Sequence, residues 1–174
     1  PNAASRDQQT LDRLTRGKPD PKRRVLIKGG VVMTMDPAVG DFARGDVLIE
    51  GRRILSVGTN IRATNAIEID ASNTIVMPGL IDTHTHLRQP GQEHKEDIEH
   101  GTRAAAAGGY TTVIGMPNVD PVTSTVERLR DALALYERAS VVDYNHYPSG
   151  AVVEEIPALA AAGAIGFKVF MIAD

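Results

Sequence analysis

Residues 74–86, Thr74-Ile75-Val76-Met77-Pro78-Gly79-Leu80-Ile81-Asp82-Thr83-His84-Thr85-His86, decide how the chain is read. The apolar run Thr74 to Asp82 predicts a strand that runs into a histidine-bearing turn. Side chains i and i+2 of an extended segment point to one side, so His84 and His86 present two imidazoles to one small volume. Such a pair at a strand end suits a Zn²⁺-like cation, and the carboxyl ends of parallel strands are where barrel enzymes keep their sites. The plain alternative is two exposed or internally satisfied histidines. Asp82 shares that face, either as an acceptor for an imidazole N–H or simply as a strand-end carboxylate.

Beyond the pair, strand and helix patterns alternate. Lys95 to Ala107 predicts a helix, acidic at its start and closed by Gly108-Gly109. Thr111 to Met116 predicts the next strand. Ser124-Thr125-Val126-Glu127 has the form of a capping box, and Val126, Leu129, Leu133 and Tyr136 keep one face of the helix it opens. Val141 to Tyr147 reads as a third strand, Ile156 to Ala162 as a short helix with Pro157 in its first turn, and Ala164 to Met171 as a fourth strand. The order β-α-β-α-β-α-β predicts a parallel sheet. Four such strands make either a small open sheet or half of an eight-stranded barrel, and the chemistry favours the half-barrel.

Before residue 74 the pattern is different. Val25 to Lys28 and Val31 to Met35 flank Gly29-Gly30, and Asp46 to Glu50 and Arg53 to Val57 flank Gly51-Arg52, which reads as a hairpin. Ala66 to Asp70 follows, and the whole predicts a layer of small antiparallel strands. Residues 1–24 hold seven Lys or Arg against three Asp and read as a basic, solvated arm with a short helix near Leu11 to Leu14. No Trp occurs, and no Phe or Tyr precedes Phe42, so the aromatic platforms of a nucleic-acid binder are missing. The expected division is therefore a basic arm over 1–24, strands of a small sandwich over 25–75, and β/α units over 76–174.

At 174 residues, with 42% hydrophobic and 24% charged residues and a net charge of −3, the composition is that of an ordinary globular chain. The apolar runs are too short to span a bilayer, and no leader pattern predicts secretion, so a cytoplasmic location without membrane or nucleic-acid partners is expected. The absence of Cys excludes disulfides, thiolate nucleophiles and cysteine metal sites.

Two further signals carry chemistry. Lys168 stands amid apolar residues in Gly166-Phe167-Lys168-Val169-Phe170-Met171, where a buried amine must be neutral, paired or modified. It reads as an edge lysine reaching water, a Schiff-base or general-base lysine, or one that has captured CO₂ as a carbamate. The carbamate gains weight from the His pair, since its two oxygens suit two cations. Arg88 directly follows the His pair, where a guanidinium clamps a carboxylate, and Asn118 ends the next strand at the same mouth. Each alone is also an ordinary loop residue. His94 and His100 read as solvated, and His146 as a strand-end residue.

Pro78-Gly79-Leu80-Ile81-Asp82-Thr83-His84-Thr85-His86-Leu87-Arg88-Gln89-Pro90-Gly91 resembles the signature of the cyclic amidohydrolases: dihydroorotases, allantoinases, hydantoinases and dihydropyrimidinases. The stretch 101–109 and the Gly166-Phe167-Lys168 segment extend the likeness. The resemblance implies an α/β fold: the first half of a (β/α)8 TIM-type barrel, preceded by part of a small β-sandwich. It implies that His84 and His86 bind one metal, that carbamylated Lys168 bridges two zinc ions, and that the substrate is a small cyclic amide opened by metal-activated water. Arg88 and Asn118 resemble the dihydroorotase residues that hold a substrate carboxylate. The Gly-Phe-Lys-Val-Phe-Met segment is more like allantoinases and hydantoinases, but the hydantoinase tyrosine position is Ala173 here.

The family's two further His ligands and its catalytic Asp come from later strands. The resemblance therefore implies that the rest of the barrel is supplied by the same or another chain, in a homo-oligomer, and that these 174 residues alone are inactive. The competing class is a non-catalytic, amidohydrolase-like assembly protein. Retention of His84, His86 and Lys168 together counts against it.

Overall fold

The computed structural model describes residues 3–16 and 20–171 and divides the chain into two units, one ending at Pro78 and the other beginning at Gly79. Ile75 and Val76 pair with the first sheet, so the division falls three residues later than the sequence places it.

The first unit is a five-stranded mixed sheet. Strands β1 (Arg24–Val32), β2 (Phe42–Glu50), β3 (Arg53–Gly58) and β4 (Ala66–Asp70) stand in the order β3-β2-β1-β4, and β5 (Ile75–Val76) also pairs with β1. The Gly51-Arg52 hairpin forms, with Gly51 at φ +57 and so close to the Pro21 carbonyl that a Cβ would strike it. Arg24 and Glu50 face one another across β1 and β2 and are joined by a 2.7 Å ion pair.

The expectation of purely antiparallel pairing is corrected, because β4 and β5 run parallel to β1. Strand β3 ends level with Lys28, and the segment 59–65 crosses back so that β4 starts beside Arg24; hydrophobic patterning carries no information about strand direction. Gly29 and Gly30 do not separate two strands. They form an irregularity within β1, where the backbone N–H of Gly29 donates to the Asp46 carboxylate at 2.9 Å. Leu26, Val32, Val47, Ile67 and Ala71 are the buried apolar residues of this unit.

The amino-terminal arm also needs correction. Helix α1 spans Ala3–Thr15 rather than one short turn and lies against β4. The Arg23 guanidinium donates to the carbonyls of Leu14 (2.6 Å) and Arg16 (3.2 Å), tying down the helix's carboxyl end.

In the second unit, β6 (Leu80–Thr85), β7 (Tyr110–Gly115) and β8 (Asp143–His146) form a parallel sheet in that order. Helices α2 (Ile98–Ala107) and α3 (Val126–Ala139) make the crossovers, and α4 (Ile156–Ala161) follows a 3₁₀ turn at Val153–Glu155. Leu87, Ile98, Val113 and Tyr136 are the core, with Ala105, Leu135, Ala139, Val142 and Tyr144 packed around it. Thr74 to Asp82 is not one strand: Pro78-Gly79 splits it into β5 and β6, which belong to different units.

Two helix starts shift as well. The Asp97 side chain accepts from the backbone N–H of His100 and caps α2, so Lys95 and Glu96 precede the helix. Thr125, not Ser124, caps α3, leaving the Ser124 hydroxyl to accept from Arg128. The fourth strand expected over Ala164 to Met171 is reduced to one parallel bridge, Ser149↔Lys168. Among the described residues nothing pairs with its other edge. Val169, Phe170 and Met171 are exposed, so no packing rewards a longer ladder.

Candidate metal centre

The parallel register aligns Thr85, Gly115 and His146 across the three strands. It fixes the level of the carboxyl ends, where the candidate residues cluster. Thr85 locks β6 to β7, its hydroxyl donating to the Ile114 carbonyl at 2.9 Å while its carbonyl accepts from Met116 N–H at 2.9 Å. On either side of Thr85 stand the two histidines. Their rings adjoin, with centroids 5.2 Å apart and planes tilted by 50°.

The surroundings of the two rings differ. His84 is exposed, and its backbone N–H donates to Asp82 Oδ1 at 3.0 Å. Asp82 therefore closes a local backbone turn rather than accepting from an imidazole. His86 is half-buried, and its Nδ1 lies 2.7 Å from Asn118 Oδ1. A carboxamide oxygen only accepts, so this contact calls for an Nδ1–H donor, which in a neutral ring would leave Nε2 with its lone pair. That is the state in which an imidazole binds a cation.

Asn118 sits on a firm mount. Met116, Pro117 and Val119 beside it are buried, and the backbone N–H of Asp120 donates to the Pro90 carbonyl at 3.0 Å. This bond draws the loop after β7 against the loop after β6. Gly91 allows the approach, since a side chain there would strike the Asp120 carbonyl. The contact between Asn118 and His86 spans 32 residues of sequence, so local spacing gave no sign of it.

Arg88 is half-buried at φ +59 in the same loop, and among the described residues no carboxylate pairs with its guanidinium. The Lys168 amine rests 5.1 Å from the centre of the Phe170 ring and makes no hydrogen bond among the described residues. Neither side chain is hydrogen-bonded to the His pair. The structure thus joins His84, His86 and Asn118 by ring contact and hydrogen bond, and ties neither Arg88 nor Lys168 to them in this way. Ala173 lies outside the described residues.

The remaining histidines belong elsewhere. His100 forms a 2.7 Å pair with Asp97 at the start of α2; the contact raises the imidazole's pKa and lowers the carboxyl's. His146 is 1% exposed and packs on Tyr136 of α3, with its Nε2 3.0 Å from the Thr123 hydroxyl and its Nδ1 without a partner. Burial pushes His146 down to about 4, so it is neutral at ordinary pH.

The donor set suits zinc in kind: two adjacent imidazoles, one with its Nδ1 facing a carboxamide oxygen. It is a partial set. Among the described residues no group of three or more His, Asp or Glu is placed to hold a metal. No helix among them is long and apolar enough to cross a membrane.

Comparisons with known proteins bear on the family and the fold. The dihydro-orotase-like family matches residues 73–172. A dihydroorotase of Syntrophotalea carbinolica is 48% identical over 131 residues, covering 75% of this chain and 30% of the relative. One from Streptococcus pyogenes serotype M3 is 46% identical over 152 residues, covering 83% and 35%. Among solved structures, the L-hydantoinase (dihydropyrimidinase) of Arthrobacter aurescens superposes with a TM-score of 0.76 at 28% identity, over 86% of this chain and 33% of that one. The class is that of the cyclic amidohydrolases, and within it the chain belongs to the dihydroorotase-like family. It spans about a third of the length of the curated relatives it matches.

Proposed function

We propose that this chain supplies part of the active centre of a zinc-dependent hydrolase that opens the C–N bond of a cyclic amide, with a dihydroorotate-like substrate. The adjoining His84 and His86 rings at the carboxyl end of β6, one of them oriented by Asn118, carry this reading. These two histidines would hold one zinc. Lys168, whose amine is free of hydrogen bonds among the described residues, would add CO₂, lose a proton and become a carbamate shared by two zinc ions. Bound zinc supplies water activation and polarisation of the amide carbonyl. The further ligands and the proton-carrying aspartate would come from the rest of the barrel, in the same or another chain.

The chain's own contribution to substrate is Arg88. A half-buried guanidinium without a carboxylate partner is costly unless an anion meets it. A substrate carboxylate would be held there bidentately and would orient the ring, with the Asn118 amide N–H as a second donor. Uncharged hydantoins and allantoin offer Arg88 no such anion.

The test uses the complete enzyme that contains this chain. Elemental analysis should find zinc, and His84→Ala or His86→Ala should lower its content. Assayed side by side, dihydroorotate should be turned over in preference to allantoin and a 5-substituted hydantoin. Arg88→Ala should cut kcat/KM for dihydroorotate roughly a hundredfold or more, the loss expected when one partner of a charged pair is removed. Equal turnover of the uncharged rings, unaffected by Arg88→Ala, would move the assignment to the hydantoinase or allantoinase branch. A metal-free protein without hydrolytic activity would favour a non-catalytic assembly role.

A further inference from the structure

We infer that Asn118 is a positioning residue that sets the tautomer of His86, so that Nδ1 carries the hydrogen and Nε2 stays bare. The inference is about one hydrogen bond within this chain. Only its consequence for metal affinity rests on the functional reading above.

The observations are geometric. Asn118 Oδ1 and His86 Nδ1 lie 2.7 Å apart, and among the described residues the His86 ring has no second hydrogen-bond partner. The bond joins the ends of two neighbouring strands, and both of its supports are pinned. On one side, Thr85 is fixed to Ile114 and Met116. On the other, Asn118 lies between buried Pro117 and Val119, and the segment after it is held by Thr123 N–H to the Pro117 carbonyl (3.3 Å) and Ser149 N–H to the Thr123 carbonyl (2.7 Å). These bonds hold the backbone on which the Asn118 carboxamide is mounted.

The chemical consequence is specific. In water a neutral histidine side chain favours the hydrogen on Nε2, which would leave that nitrogen without a lone pair for a cation. An acceptor fixed against Nδ1 reverses that preference. Because Oδ1 is occupied in this way, only the Nδ2 hydrogens of Asn118 remain for a substrate anion. Asn118 therefore serves the ring through its oxygen and the substrate through its nitrogen.

The experiment is long-range ¹H–¹⁵N NMR of the imidazoles in the full chain, metal-free, with His86 assigned through His86→Gln. His86 should show the pattern of an Nδ1–H tautomer. Asn118→Ala should shift it toward Nε2–H, whereas Asn118→Asp, which keeps an oxygen at the same point, should retain Nδ1–H. Zinc titration should then show a loss of affinity of roughly 10- to 100-fold for Asn118→Ala, and little loss for Asn118→Asp. An Nε2–H tautomer in the unmutated chain would overturn the inference, and that measurement does not depend on any variant folding. So would a tautomer that Asn118→Ala leaves unchanged. A tautomer that shifts as expected in a chain that binds no zinc supports the inference and overturns the metal reading instead.

Discussion

His146 shows how a single buried residue couples this fold to pH. Its ring lies between the Thr123 hydroxyl and the Tyr136 ring, with Nδ1 unpaired, and burial holds its pKa near 4, below the 6.5 of a free histidine. The unfolded chain therefore takes up a proton below pH 6.5 that the folded chain refuses until about pH 4. The stability tied to a neutral His146 is complete above 6.5 and is lost as pH falls through that window. It amounts to about 3 kcal/mol. Urea unfolding at pH 7.5, 6 and 4.5 should show this decline, and His146→Gln should flatten it. An unchanged slope in the variant would place the acid sensitivity elsewhere. The sequence marks His146 only as a strand-end histidine. That it faces helix α3 depends on which strand parity packs outward, and this is settled by Tyr136, ten residues earlier in the fold's other layer.

Among the elements, β7 bears most of the burden of placing the site. It is the middle strand, its last three residues are buried, and the loop after it delivers Asn118. Gly115 ends it, and a methyl group there would collide with the Tyr136 hydroxyl and crowd His146 Nδ1. Gly115→Ala should therefore destabilise the protein by roughly 1–3 kcal/mol, the usual range for overpacking. Adding Tyr136→Phe, which removes the colliding oxygen, should recover part of the loss. Non-recovery in the double variant, followed by thermal unfolding, would show that the clash is relieved by backbone movement instead.

Elements of this kind were largely visible in the sequence. Periodicity located α2, α3, β7 and β8 within a few residues. Their exact starts were not visible, because Ser124 and Thr125 are both good caps and only the Thr125 hydroxyl meets a backbone N–H of the helix, that of Arg128. The His pair was legible because period-two geometry is local. Its acceptor was not, because Asp82, the nearer candidate, is taken up by the His84 backbone.

At the scale of the whole molecule, the second unit presents unpaired structure among its described residues. Strand β6 lies at the edge of its sheet with Leu80 39% and Ile81 61% exposed, and Met171 is 91% exposed after the Lys168 bridge. Apolar edges of this sort invite pairing with another chain. Produced by themselves, these 174 residues should associate in light scattering, bind a hydrophobic dye such as ANS, and hydrolyse none of the three cyclic amides. Enzyme-like turnover by the isolated chain would show that the residues described here suffice, against the account of missing ligands. The sequence carried the alternation of strand and helix but misjudged the fourth strand, since an apolar run forms a ladder only where neighbours exist to pair with and cover it.

The parallel register of β6, β7 and β8 also has a kinetic side. The β2–β3 hairpin closes over two residues, but the Leu80↔Tyr110 and Thr112↔Asp143 pairs each close a loop of about thirty, whose entropy must be spent before any ladder contact returns it. The β2–β3 hairpin can thus form as it leaves the ribosome, whereas His84 and His86 emerge well before the strand that pairs with β6. Until Asn118 has been synthesised and β7 has docked, the His86 ring lacks the partner that faces its Nδ1 in the folded chain. On the proposed role of His84 and His86, selective metal capture would therefore be a late event in biogenesis, timed by the arrival of the second strand.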